Sequence, residues 1–252
     1  TEITAAANRL RLPHPVHIHC NQLGMPGNWQ TTLDTMKALD SQRGHLTHIQ
    51  FHSYGGGDAD ETTFSSKVPV LADYVNSRPE LTVDVGQVLF GETTSMTGDG
   101  PLGYFLHKIY QGKWFSGDTE MEAGCGITPI KYRNKSLVHS LQWAIGLEWY
   151  LLVEDPWRVV MSTDHPNGGS FLAYPEIIRL LMDRTYRQDM LKTCPPEVRN
   201  RSTLADLDRE YTLNEIAIIT RAGPARILGL RNKGHLAPGA DAHITIYTPH
   251  ES

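Results

Sequence analysis

The sequence predicts an α/β protein built on a parallel sheet. Three observations carry that expectation. Short runs rich in β-branched residues alternate four times with longer runs of helical periodicity, the pattern of consecutive βα units. No internal repeat or low-complexity tract interrupts the alternation. Three of the four strand-like runs end in side chains able to bind metal or move protons, "HIHCN", "FHSYG" and "MSTDHP", while the remaining one ends in "LFGET". In (β/α) barrels the active site is assembled at the C-terminal ends of the strands.

The elements follow in order. "HPVHIHC" (14–20) reads as a strand, with Pro13 and Pro15 at its start and the turn-rich "NQLGMPGN" after it. "WQTTLDTMKALD" (29–40) places Leu33, Met36 and Leu39 at helical spacing. "HLTHIQFH" (45–52) reads as a second strand closed by "SYGGGD", and 64–77 as a helix. "LTVDVGQVLFG" (81–91) is the third expected strand. The Gly- and Thr-rich stretch 92–134 is too long for a simple connection and is expected to be a lid or binding loop. "KSLVHSLQWAIGLEWYLLVED" (135–155) reads as a strong amphipathic helix and "WRVVMSTDHPNGG" (157–169) as a fourth strand with a polar mouth. Helices are expected at 174–190 and 213–229, the second opened by a capping box between Thr212 and Glu215.

Composition bounds the function. The chain has 252 residues, 40% hydrophobic and 20% charged, which suits a soluble globular protein with a sizeable core. A net charge of −5 without a basic stripe argues against nucleic acid, and no long apolar run or signal peptide points to a membrane. The cysteines, Cys20, Cys125 and Cys194, are odd in number and widely spaced, which fits a reducing, cytoplasmic setting and supplies no CxxC zinc motif. The chain opens on "TEITAAANRLRLPHP", without an initiator Met or an expected element of its own, and ends at "ITIYTPHES". It reads as part of a longer polypeptide.

Histidine usage is the chemical signal. Six of the 12 histidines lie between His14 and His52. On a strand, residues two apart share a face, so His17 and His19 point the same way. His19 lies nearer the strand's C-terminal end and is favoured as a metal ligand; His17 lies deeper and is the alternate. The same rule places His48, Gln50 and His52 on one face and favours His52 over His48. Each can also be read as a packed, hydrogen-bonded core histidine. Asp164 follows "VVMST" at the mouth of the last strand and is a candidate catalytic carboxylate, with a turn or helix-cap role as the plainer reading. His165 reads as a supporting residue, and the other histidines as structural or superficial. Cys20 faces away from His19, which disfavours a Cys–His nucleophile. Cys125, in a Gly-rich stretch, is open to a substrate contact.

At this point the residues resemble a known family. "STDHP" at a last barrel strand and the tail "GHLAPGADAHITIY" resemble the metal-dependent amidohydrolase superfamily, with His243 where its tail pattern usually has Asp. Longer runs, "HCNQLGMPGNWQTTLDTMKAL", "RGHLTHIQFHSYGG", "VDVGQVLFGETTSMTGDGP", "EAGCGITPI" and "MSTDHPNGGSF", resemble the A subunits of formylmethanofuran dehydrogenase. They are nearer still to the A subunits of bacterial formyltransferase/hydrolase complexes. The resemblance implies that "VHIHC" is strand 5 of a (β/α)8 TIM barrel. Residues 1–230 would then form the barrel's C-terminal half (strands 5–8), with 92–134 as an insertion loop, and 231–252 would return into a small β-sandwich. It implies two Zn2+ ions, with His19 and His52 on one and Asp164 on the other. The remaining ligands, an HxH pair and a carboxylated lysine, would lie upstream of this chain.

The implied activity is hydrolysis, or in reverse formation, of the N-formyl bond of a formylmethanofuran-type one-carbon carrier, releasing formate. The site would activate water between its metals, with Asp164 shuttling the proton. The implied partners are other subunits of a formyltransferase/hydrolase or formylmethanofuran dehydrogenase complex, and this segment alone is expected to be inactive. Two alternatives share the pattern: a dihydroorotase- or hydantoinase-like enzyme acting on cyclic amides, and a scaffold subunit that keeps the fold without metal.

Overall fold

The computed structural model describes residues 1–57, 63–97 and 126–246. At its centre is a four-stranded parallel sheet of β1 (Val16–Ile18), β2 (Gly44–Leu46), β5 (Leu81–Asp84) and β8 (Val159–Val160), adjacent in that order. The register places His17 opposite His45 and His45 opposite Thr82, while Asp84 pairs with Val160. Side-chain alternation divides the sheet into two faces. Leu46, Leu81 and Val83 join the hydrophobic core, whereas His17, His45, Thr82 and Asp84 alternate with them on the polar face.

Helices cover the apolar face. They include α2 (Trp29–Ala38), α3 (Val68–Asn76), α4 (Leu137–Leu152) and α5 (Tyr174–Met182), after a first helix α1 (Glu2–Arg9). The α4 helix is buried along most of its length, from Ser140 to Leu151 except Gln142, because neighbouring elements surround it. Ser136 caps its start through a bond from the His139 amide. At its end Arg209 Nη1 donates to Val153 O at 2.6 Å, satisfying a carbonyl the helix leaves open. Two antiparallel pairs complete the described strands: β3 (Tyr54–Gly55) with β4 (Ser65–Ser66), and β6 (Gly91–Thr97) with β7 (Gly126–Tyr132). The β6–β7 ladder forms part of the expected insertion 92–134; residues 98–125, with Cys125, lie outside the described residues.

Several expected elements differ in extent. The opening residues, expected to lack an element, form α1. The strand expected over 45–52 stops at Leu46, because His48 takes a left-handed backbone (φ 35°) and Ile49–His52 form a 3-10 turn. The strand expected over 81–91 pairs in the sheet only to Asp84; Gly86 at φ 70° turns the chain away, and Gly91 opens β6. The helix expected over 174–190 is two helices, α5 and α6 (Arg184–Lys192). Asp183 breaks between them in extended conformation, and its side chain caps α6 at the Tyr186 amide.

The region 213–229 is α8 (Leu213–Ala217), a π turn (Ile218–Ala222) and α9 (Gly223–Ile227), after a short α7 (Val198–Arg201). Pro224 lacks the N–H that a continuous α-helical ladder requires, so the hydrogen-bond pattern changes just before it. The capping box at Thr212 and Glu215 forms as expected. Residues 231–246 contain no strand among the described residues.

Candidate functional site

Three histidines, His19, His48 and His52, and two aspartates, Asp84 and Asp164, gather on and beyond the C-terminal ends of the parallel strands. The loop after β1 and the turn after β2 bring His19 and His48 into contact: His19 Nδ1 and His48 Nε2 are 2.7 Å apart. His48 in turn stacks on His52, with ring centroids 5.1 Å apart. His19 is exposed, while His48 and His52 are buried, His52 completely. Asp164 follows β8 in a left-handed turn (φ 47°), and its Oδ2 accepts from Asn167 Nδ2 at 3.0 Å.

Gly86 closes the gap between these groups. A Cβ there would lie 2.7 Å from His48 Cβ and 3.4 Å from Asp164 Cβ, so only glycine lets the two side chains approach from either side. His17, the deeper alternate, stacks instead on His45 at 4.6 Å, lower on the polar face. His165 points outward, packs on Phe171 and accepts from the Phe171 amide at 3.3 Å.

The turn carrying His52 is pinned from the β1–α2 connection. Asn28, fully buried, donates from Nδ2 to Phe51 O at 2.8 Å and to Gln22 O at 2.9 Å, and accepts from the Tyr54 amide at 2.9 Å. Thr32 Oγ1 donates to His52 O at 2.8 Å. These bonds satisfy backbone groups that an irregular buried turn would otherwise leave open. Beneath His48, Asp84 accepts from the His48 amide at 3.1 Å and from Ser162 Oγ at 2.5 Å, and meets His45 Nε2 at 3.1 Å.

The electrostatics favour neutral imidazoles. Burial pushes His52 down to about 3; the nearby His48 and His19 rings add to that, partly offset by the Asn21 backbone. Burial also lowers His19, with His48 adding to it and the Asp164 and Asp84 charges opposing it. His48 is lowered by burial, against an opposing pull from Asp84. For Asp84 burial works upward, but hydrogen bonds from His45, Ser162 and the His48 amide outweigh it and hold the carboxyl below its ordinary range. Burial raises the Cys20 thiol to about 11, which leaves it a poor nucleophile.

The donor set suits a borderline divalent metal. His48 Nδ1 and both ring nitrogens of His52 are buried without a hydrogen-bond partner among the described residues. The His52 ring lies beyond hydrogen-bonding geometry from the Asn21 backbone noted above. Neutral imidazole nitrogen is a preferred zinc donor. Among the described residues no three His, Cys, Asp or Glu side chains close on one point as a complete metal site. The set is therefore partial, and a metal here needs further ligands.

Sequence reasoning placed His19, His52 and Asp164 at the rim of the fold, and the structure brings them to one region together with His48. It did not anticipate Asp84, Gly86, Asn28 or Ser162. The signal for Asp84 was present: a lone carboxylate alternating with Leu81, Val83 and Val85 must face the polar side of its strand.

Comparison with known proteins identifies the family. The Amidohydrolase family matches residues 1–250. Protein FwdA of Methanocaldococcus jannaschii is 46% identical over 251 residues, covering 94% of this chain and 44% of that protein. The A subunit of the Fhc formyltransferase/hydrolase complex of Methylorubrum extorquens is 42% identical over 246 residues, covering 96% of this chain and 45% of that protein. A crystal structure of the FhcABCD complex from Methylorubrum extorquens, in complex with methylofuran, superimposes with a TM-score of 0.86 at 42% identity, covering 95% of this chain and 44% of the matched one. The chain thus spans less than half the length of these relatives. With parallel βα architecture, a histidine–aspartate rim and a family match along almost its whole length, the chain belongs to the amidohydrolase family.

Proposed function

We propose that this chain is the C-terminal half of the barrel in a zinc-dependent amidohydrolase that acts on the N-formyl bond of a formylated furan one-carbon carrier. The observation that supports this most is the TM-score of 0.86 to a complex holding methylofuran. Buried imidazole nitrogens without a hydrogen-bond partner among the described residues, His48 Nδ1 and both of His52, also support this reading. In this reading the four parallel strands are strands 5–8 of the barrel. Residues 231–252 lead into a small β-sandwich, and the β6–β7 ladder faces carrier or neighbouring subunits. The protein works with partners in a formyltransferase/hydrolase or formylmethanofuran dehydrogenase assembly.

His19 and His52 would hold one zinc, with His48 as the alternate donor, and Asp164 would face the second metal and the reacting water. Bound metal supplies Lewis-acid polarisation of the formyl carbonyl and acidifies water. Asp164 accepts a proton from the water that attacks the formyl carbon and returns it to the departing amine, leaving formate and the free amine. Its side chain is oriented for this by Asn167 Nδ2. His19, His48 and His52 stay neutral near pH 7, each held below its ordinary value chiefly by burial. That keeps ring lone pairs available for coordination.

The test uses the full-length protein in its complex. Asp164→Asn should retain about two zinc ions per chain while losing nearly all formate release from N-formyl amines. Wild-type turnover in that variant, faster turnover of cyclic imides than of N-formyl amines, or the absence of zinc from the wild-type complex would each refute the proposal.

A further inference from the structure

The environment of Asp84 assigns a role to a residue outside the proposed ligand set. Each of its two carboxylate oxygens has a partner within the protein. Oδ1 accepts from the His48 amide at 3.1 Å and from Ser162 Oγ at 2.5 Å, and Oδ2 meets His45 Nε2 at 3.1 Å. Ser162 Oγ in turn accepts from the Gly86 amide at 2.8 Å. A continuous chain therefore runs from the Gly86 N–H through the Ser162 hydroxyl to Asp84 and on to the His48 N–H. It ties the ends of three neighbouring strands, β2, β5 and β8.

Both ends of this chain have left-handed backbones, His48 at φ 35° and Gly86 at φ 70°, and they touch. A left-handed backbone is disfavoured for a residue with a Cβ, so His48 needs an interaction that selects it. The carboxylate of Asp84, aimed at the His48 amide, supplies one. In that conformation the chain leaves β2 so that the His48 ring meets both His19 and His52. We propose that Asp84, braced by Ser162, is a positioning residue that fixes the His48 ring against its two histidine neighbours. Both oxygens of Asp84 thus bond within the protein, to His48, Ser162 and His45.

The inference rests on the proposed metal role of the histidines for its catalytic meaning, but its geometry can be tested without metal. Asp84→Ala, Asp84→Asn and Ser162→Ala are made in the full-length protein within its complex. Asparagine keeps an acceptor for the His48 amide, and its Nδ2 can donate to His45 Nε2 when the His45 proton sits on Nδ1, facing Thr82 Oγ1 at 2.9 Å. Crystal structures of the variants read the backbone of residue 48 and the His19–His48 contact. The visible absorption spectrum of the cobalt-loaded complex reads ligand geometry.

Asp84→Ala should release residue 48 from the left-handed region, shift the cobalt bands and lower kcat about 10- to 100-fold at unaltered KM. Asp84→Asn should restore the wild-type bands, and Ser162→Ala should shift them less than Asp84→Ala does. A lowered thermal midpoint with unchanged bands and an unchanged residue 48 would make Asp84 a stability residue only and overturn the proposal. So would Asp84→Asn bands displaced as far as those of Asp84→Ala. If Asp84→Ala does not fold, Ser162→Ala decides by the same readouts. A complex that takes up no cobalt would refute the proposed metal function, while the crystal structures would still decide the positioning claim.

Discussion

At the scale of the residue, the imidazoles set the pH behaviour. His52 is fully buried, its ring nitrogens lack partners among the described residues, and burial moves it down to about 3. The unfolded chain takes up this proton near the ordinary histidine value of 6.5, and the folded chain does not until about 3. Below 6.5 the unfolded state therefore binds more protons, and stability is lost as pH falls through that window. His17, His19 and His48 are shifted in the same direction and add to the loss. Urea unfolding of the metal-free protein should show stability falling below pH 6.5, by at most about 1.4 kcal/mol per pH unit from His52. His52→Gln should flatten that slope while the other histidines leave a smaller one. An unchanged slope would mean that the His52 ring finds a partner for its proton.

Elements are positioned here by side chains that bond to backbone. The Ile49–His52 turn is too short for a ladder of any length, and its Phe51 and His52 carbonyls are satisfied from α2 and the connection before it, through Asn28, Thr32 and the Gly24 amide. Asn28→Ala removes two donated bonds and one accepted bond at a fully buried position. The expected cost is about 1–3 kcal/mol in denaturant unfolding, together with weaker metal retention as the His52 turn loosens. Retained stability with full metal content would show that the turn is held by its packing alone.

The same principle recurs away from the site. Arg158 reaches Leu81 O and backbone carbonyls at the end of α3, and Arg187 donates to Leu180 O, Leu207 O and Arg209 O. In the body of α4, Glu148 accepts from Ser66 and Thr203 Oγ1. These bonds staple short elements whose own ladders are incomplete.

For the molecule as a whole, stability is concentrated under the apolar face of the sheet. Trp143, Trp149, Leu141 and Ile145 of α4 are fully buried and share one core with Leu46, Leu81 and Val83. The opposite face carries His17 and His19, both exposed. Opening free energies follow burial, since exposed segments with few apolar contacts unfold locally at little cost. Amide hydrogen exchange should therefore be slowest for Leu81–Asp84 and the middle of α4. It should be fast for 231–246, where Leu236, Ile244 and Ile246 are exposed. Fast exchange at Val83 or Ile145 would contradict this division. No helix among the described residues is long and apolar enough to cross a membrane.

The sequence by itself determined the alternation of strands and helices, because side-chain periodicity is a local property. It also placed the histidines near strand ends, because a strand's direction puts its last residues at the rim. The extent of β2 was decided by tertiary structure. "HLTHIQFH" alternates well enough for a strand, but the left-handed His48 is selected by the carboxylate of Asp84, 36 residues later, and by the room that Gly86 leaves. That contact turned His48 from a neighbour of His52 on one strand face into the ring between His19 and His52. The breaks in the later helices were partly legible, at Asp183 as a cap and at Pro224 as a missing donor. Which polar side chains pin a turn depends on distances between segments remote in sequence. Local pattern reports which face a residue takes; only the packed fold sets what it meets there.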